Sequence, residues 1–307
     1  MKIKKVLLLL DGSYISFVCN FRAFNAWQGQ YQAMDTCRIL PPEESDQDNL
    51  PDLVNESQWF KKCLHNAAID KLNSIATIIE NATGLIYPSA MVDTVIAKDS
   101  RLTKSFRYAL YPEYKLTRKL NRAKRGQYQI GPVFDEIYAN VFPSIFDEHT
   151  VQLMVDGAEG DDVIASLSRS DRILEDYAKI ILVSSDRDFL QLQIDRPVQQ
   201  YDIKGEMIVP KLKRGQEIVS LTPQQALMIK IISGDASDNI KSIRPKVGEI
   251  TAYKYITEKT DDFKKLLKEN PEVAQRFILN TKLVDFKNIP VDLSQKVVDE
   301  FYKIKTW

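Results

Sequence analysis

The stretch "DGAEGDDVIASLSRS" at 156–170 places Asp156, Glu159, Asp161 and Asp162 within seven positions, then begins an apolar helix. At ~4 Å and an effective dielectric near 20, a like-charged pair costs on the order of 4 kcal/mol. Water or a bound cation must relieve that repulsion. Further acids stand in comparable places: Asp11 after "KKVLLLL", Asp99 in "VIAKDS", Asp186 and Asp188 in "LVSSDRDF", Asp235 and Asp238 in "SGDASDN". With Glu159, Asp161 and Asp162 they make nine carboxylates, too many for one general acid/base pair. Their number and type suit two hard divalent cations, which take oxygen ligands. His65 and His149 lie far apart, and Cys19, Cys37 and Cys63 form no CxxC. Mg²⁺ or Mn²⁺ is therefore expected rather than zinc. A single Asp at a helix start is ordinarily a cap. Asp156, before Gly157, reads as a turn residue, and Asp93, inside its strand, as structural or exposed. Capping alone does not account for five such sets together.

A second group is basic. "RLTKSFRYALYPEYKLTRKLNRAKR" (101–125) carries Arg101, Lys104, Arg107, Lys115, Arg118, Lys119, Arg122, Lys124 and Arg125 against one acid, Glu113, a local balance of +8. Tyr108, Tyr111 and Tyr114 are interleaved. Basic groups bind phosphates and aromatic faces stack on unpaired bases. A solvated helix face is the plain alternative. Metal-binding acids beside phosphate-binding bases imply metal-assisted attack on a phosphodiester.

The acids need elements that bring them together. Strand-like runs at 4–10, 90–97, 151–155 and 179–185 alternate with helical patterns near 13–25, 57–82, from Asp161, and 187–192. This alternation predicts an open α/β layer with a mainly parallel sheet. In such sheets the carboxyl ends of the strands line one crevice, and the acids fall at those ends. "VQQYDIKGEMIVP" reads as a hairpin turning at Lys204–Gly205. From "SLTPQQALMIKII" onward, with Thr222 as N-cap and Pro223 at the first helical position, the pattern is all helical. The segment 28–56 contains "PPEESDQDNLPD" and reads as a surface loop.

The chain has 307 residues and zero formal net charge, 42 basic against 42 acidic, so its partners are not legible from the total. The cysteine count gives no disulfide framework. "MKIKKVLLLLDGSY" imitates a signal peptide, but its apolar run is too short and reads as a buried first strand. A soluble, cytoplasmic protein is expected.

The ordered set "LLLLDGS", "AKDS…FRYALYPEYK", "AEGDD", "SSDRDF" and "GDASDN" resembles the 5′ nuclease, or flap endonuclease, family over nearly the whole chain. The ending "LVDFKNIPVDLSQKVVDEFYK" is most similar to its ribonuclease H branch of T-even-like bacteriophages. The resemblance implies a PIN-like α/β domain over 1–220 with a helical arch at about 100–135. It implies a helix–three-turn–helix module for duplex binding over 221–307. The implied activity is removal of RNA primers or flaps from 5′ ends during replication, in host cytoplasm if phage-encoded. Asp11, Asp99, Glu159 and Asp161 would surround a first metal. Asp186, Asp188, Asp235 and Asp238 would serve a second, with Asp161 between the two and Asp162 behind the direct ligands. Lys115 and Arg118 would steer the scissile phosphate, and Tyr114 would stack on a terminal base. Arg107, Arg122, Lys246 and Gly248 would add nucleic-acid contacts. The family's duplex hairpin reads GVGxxTA. Here "KVGEITA" keeps Gly248 and Ala252 but has Lys246 for the first glycine, which weighs against a bound K⁺ and for a phosphate contact by Lys246.

The implied partners are a duplex with a 5′ single strand, a single-strand-binding protein and a sliding clamp, engaged by a monomer. "QKVVDEFY" (295–302) fits either a clamp-binding box using Gln295, Val298, Phe301 and Tyr302 or an amphipathic helix on the core. A PIN-type single-strand ribonuclease, a silent branched-DNA-binding protein and an Asp11-based phosphotransferase are the rival readings. Exonuclease against flap preference, and RNA against DNA in the cut strand, stay open.

Overall fold

The computed structural model describes residues 4–33, 57–118, 130–194 and 196–305. β1 (Lys5–Asp11) leads into α1 (Gly12–Ala33), and α2 (Gln58–Thr83) precedes β2 (Val92–Ala97). After α3 (Phe106–Leu110), α4 (Ile130–Glu136) runs through a π-helical turn into α5 (Phe142–Ile145). β3 (Thr150–Leu153), α6 (Gly160–Arg169), α7 (Asp171–Asp176), β4 (Tyr177–Val183) and β5 (Val198–Tyr201) complete the α/β layer. Its five strands are parallel, in the order β3-β2-β1-β4-β5.

"KVLLLLD" has no polar interruption because β1 is the central strand and both its faces are covered. Alternate residues divide the cores. Val6, Leu8 and Leu10, with Ile181 and Val183 of β4, pack against α1 and α2. Leu7 and Leu9, with Ile180 and Leu182, pack against α6 on the other face. The predicted strands and helices are present with shifted ends. α1 runs to Ala33, so residues 28–33 of the expected loop are helical, and the remainder of that loop lies outside the described residues. Thr222 does cap its helix, accepting from the Gln225 amide in a capping box.

The hairpin at Lys204–Gly205 is present but short: with Gly205 at φ 86°, the chain returns antiparallel through the Tyr201–Met207 bridge and the bonds Asp202 N to Glu206 O and Ile208 N to Gln200 O, while β5 itself pairs in parallel with β4. Two features depart from the sequence reading. A second antiparallel hairpin joins β6 (Lys211–Arg214) to β7 (Glu217–Ser220), turning at Gly215. α8 (Pro223–Ser233), α9 (Glu249–Thr257), α10 (Thr260–Glu269) and α11 (Pro271–Val284) follow, and Leu212 of β6 shares a core with α8 and α9. The last helix, α12 (Val291–Ile304), returns to the α/β layer, where Val297, Val298 and Phe301 are buried with Leu7 and Leu9. The packing therefore does not follow a single cut at 220. Phe301 and Val298 are core residues, and Tyr302 donates its hydroxyl to Asp176. The clamp-box reading fails because its apolar residues are spent on the core.

At the opposite end of the strands from the acids, Asp93 is fully buried. Tyr177 donates to it at 2.6 Å, and Lys5 and Lys305 pair with it at 2.9 and 3.0 Å. These bonds outweigh burial and hold its carboxyl below the usual range. Asp93 is structural, not exposed. Among the described residues no helix is long and apolar enough to cross a membrane.

Candidate active site

Parallel register brings the strand ends to one level: Asp11, the last residue of β1, stands opposite Ala97, the last of β2. Asp99 follows two residues later. Glu159 caps α6, Asp161 lies in its first turn, and Asp186 and Asp188 open the 3₁₀ turn after β4. Asp235 and Asp238 enter from the loop after α8. That loop closes by paired amides, Asp235 N to Ile240 O and Ile240 N to Asp235 O. Gly234 sits at φ 73°, and a β-carbon there would lie 2.3 Å from Ile240 O, so only glycine fits. Asp11, Asp99, Asp161, Asp186, Asp188, Asp235 and Asp238 line one cleft of about 800 Å³, together with Lys115, Arg118, Lys230 and Gly248. Among the described residues no histidine or cysteine lines it.

The acids are oriented by donors. Asp11 accepts from the Tyr14 amide at 2.9 Å and from Ser184 Oγ at 2.8 Å. Asp99 accepts from Ser13 Oγ and from the Gly160 amide, both at 2.7 Å. The Gly160 amide comes this close to Asp99 at the start of α6 because no side chain intervenes. Asp161 makes no hydrogen bond or ion pair with the described residues. Burial, then the charge of Asp186, holds its carboxyl well above the usual range. Burial also pushes Asp11 and Asp188 up to about 6. Asp235 goes the other way: burial raises it, but Lys230 and the Ser237 hydrogen bonds bring it to about 2.

Three cations stand among the acids. Lys115 Nζ donates to Glu159 Oε1 at 2.7 Å, Arg118 pairs with Asp238, and Lys230 pairs with Asp188 and with Asp235. The carboxylates raise the Lys115 and Lys230 ammonium groups above their ordinary range against the opposing effect of burial. Among the described residues no three acids converge as a ready-made ligand shell. By chemistry the set fits a hard divalent cation: carboxylate oxygens only, several held by burial and then by neighbouring acids against ionisation.

Several expected roles change. Asp162 is fully buried and does not face the cleft: Oδ1 takes Arg107 Nη1 at 2.7 Å and Oδ2 takes the Glu159 amide at 3.0 Å. It braces Glu159 rather than a metal. Arg107 is 3 % exposed, bonded to Asp162, Glu159 and Leu283 O, so it cannot reach nucleic acid. Tyr114 is 4 % exposed in a core with Ile231, Ile240 and Leu283, its hydroxyl donating toward Glu159 Oε2, 3.1 Å away. Its ring has no face left for a base. Lys115 and Arg118 do sit at the cleft, because the segment is tied down: Lys115 N donates to Asp238 O and Arg118 Nε to Ser237 O. Arg122, Lys119, Lys124 and Arg125, and with them part of the expected arch, lie outside the described residues. Gly248, at the N-cap of α9, lines the cleft, and Lys246 is exposed nearby at φ 65°, a conformation that favours the glycine it replaces. Sequence reading missed Lys230, Ser13 and Ser184; each lies beside a noted acid or on the helix before "SGDASDN", but nothing local marks it.

Fold and cleft together define a parallel α/β protein with an acidic strand-end site and a helical module beside it. The sequence model of the 5'-3' exonuclease N-terminal resolvase-like domain matches residues 58–219, more than half of the chain. The chain belongs to that 5'-3' exonuclease family. A 5'-3' exonuclease of Buchnera aphidicola subsp. Schizaphis graminum is 27% identical over 205 residues, 66% of this chain and 65% of its own length. DNA polymerase I of Streptococcus pneumoniae is 30% identical over 264 residues, 83% of this chain but 24% of the polymerase. The chain thus spans about a quarter or less of the polymerases it matches. In structure it is similar to a bacteriophage T5 flap endonuclease solved in complex with DNA and metal ions, with TM-score 0.55, 17% identity, and 99% and 100% of the two chains covered.

Proposed function

We propose that this protein is a divalent-metal-dependent nuclease acting at 5′ ends or flaps of nucleic acid. The observation that carries the proposal is the single cleft where acids from four strand ends and the 235–238 loop meet Lys115 and Arg118. Asp11, Asp99, Glu159 and Asp161 would hold one cation; Asp186, Asp188, Asp235 and Asp238 would hold a second, with Asp161 shared. These carboxylates would hold the ions, whose chemistry when bound would be acidification of a water and neutralisation of a leaving oxygen. The chain's own residues do the rest. Ser13 and Ser184 hold Asp99 and Asp11 in orientation. Arg107 and Tyr114 keep Glu159 facing Lys115. Lys115 and Arg118 present cationic donors to a phosphate at the rim. The free amides at the start of α9 and the exposed Lys246 offer a phosphate site for a duplex arm. The bacteriophage T5 flap endonuclease of similar fold was solved with DNA and metal ions, which supports a metal-dependent nuclease reading. Primer removal during replication, beside a single-strand-binding protein, fits this activity. The test is a side-by-side digestion of 5′-labelled flap, nicked and RNA-primed duplexes. Cleavage at or near the 5′ junction supports the proposal. Preference for free single-stranded RNA would favour the ribonuclease reading instead.

A further inference from the structure

Lys230 lies in the last turn of α8 and was assigned no part above beyond its ion pairs. Its ammonium reaches Asp188 Oδ1 and stands 2.8 Å from Asp235 Oδ2. Asp188 arrives from the turn after β4, and Asp235 from the loop after α8, 47 positions later. Among the described residues, Lys230 is the only side chain that donates to the Asp188 carboxylate. Asp235 also holds the Ser237 amide and hydroxyl on Oδ1, so Oδ2 is its free oxygen, and Lys230 takes it. The ammonium thus fills the position that a cation shared by these two carboxylates needs. It sits on a flexible four-carbon stem, three-quarters buried.

We infer that Lys230 is the internal counter-cation of the Asp188–Asp235 pair and competes with a divalent cation for it. Metal uptake on that side of the cleft is then coupled to withdrawal of the ammonium, which moves toward the open cleft where phosphate arrives. Lys230 is in this sense a positioning residue: it keeps two acids from separate elements together until a metal replaces it. This rests on the reading that the cleft takes divalent cations.

The experiment is calorimetric titration of the full chain with Mn²⁺, for the unaltered protein, Lys230→Met and Lys230→Arg. Lys230→Met removes the competitor and should tighten one of two binding events by about tenfold or more. Lys230→Arg keeps the charge and should leave affinity near its original value. Equal or weaker binding by Lys230→Met overturns the inference, since a permanent strut or a residue that helps hold the metal gives that result. No Mn²⁺ binding by any of the three proteins overturns the metal reading itself. A second measurement uses only the unaltered protein: acetylation of Lys230, followed by mass spectrometry. Its rate should rise several-fold when Mg²⁺ is added, and an unchanged or slower rate contradicts the inference even if the variants do not fold.

Discussion

Lys115 Nζ stands 2.7 Å from Glu159 Oε1 while the Lys115 backbone lies in the left-handed region at φ 56°. A non-glycine residue held there is strained, and the Lys115 amide bond to Asp238 O keeps it so. The basic segment is thereby docked beside the acids instead of standing free. Lys115→Ala should cut the saturated rate on 5′ flaps about ten- to a hundredfold, since a charge-assisted contact is worth ~1.5–3 kcal/mol and each 1.36 kcal/mol is about tenfold. Affinity for plain duplex should change little. An unaltered flap rate would reduce Lys115 to a salt-bridge partner of Glu159.

Neighbouring acids should respond oppositely. Asp161 has no described partner, so Asp161→Asn relieves repulsion and should raise metal-free thermal stability while abolishing cleavage. Asp162 satisfies Arg107 inside the protein, and Asp162→Asn leaves that guanidinium undercompensated, costing about 3 kcal/mol. Melting curves in EDTA decide this. Equal destabilisation by both substitutions would contradict the placement of the two side chains.

The fold and the site were unequally legible. The four-leucine run of β1 could only be a buried strand. Asp11 ends that strand, Asp99 and Asp186 follow within three residues of theirs, and Glu159 opens the helix after β3, so the strand-end site follows from parallel pairing. Lys230 looks like any helical lysine, because its partner Asp188 lies 42 residues earlier and only tertiary packing aims one at the other. Arg107 and Tyr114 read as ligand contacts because a basic, aromatic stretch carries no sign of burial. Their burial depends on α11, whose Leu283 carbonyl accepts from Arg107. The β6–β7 hairpin was missed because "KLKRGQEIVS" mixes charge with little apolar alternation, and Leu212 gains its role only against α8 and α9.

The metal-free protein should be more stable at pH 5 than at pH 7.5. Burial pushes Asp11 and Asp188 up to about 6 in the folded chain, from an ordinary carboxylate value of 3.8. Raised carboxyls contribute stability that is complete below 3.8 and lost as pH rises through about 6. A shift of that size corresponds to ~3 kcal/mol at most per group. Asp235, held near 2, acts only in more acid solution and does not oppose this trend. Melting temperatures at pH 5, 6 and 7.5 in EDTA check the slope, which Mg²⁺ should flatten. A rise in stability from pH 5 to 7.5 would contradict the burial of these carboxyls.

Asp93→Asn removes the charge shared by Lys5, Lys305 and Tyr177 at the far end of the strands. It should cost ~3–5 kcal/mol in urea unfolding. Saturated flap cleavage at a temperature where the variant is folded should stay the same, because Asp93 and the cleft lie at opposite ends of β2.

Cleavage of a 5′-labelled flap duplex, in Mg²⁺ and again in excess EDTA, tests the metal-dependent cleft most directly. The expected result is release of the labelled 5′ fragment in Mg²⁺, none in EDTA, and none from Asp161→Asn in either. Cleavage that persists in EDTA, or that survives Asp161→Asn at full rate, would contradict it.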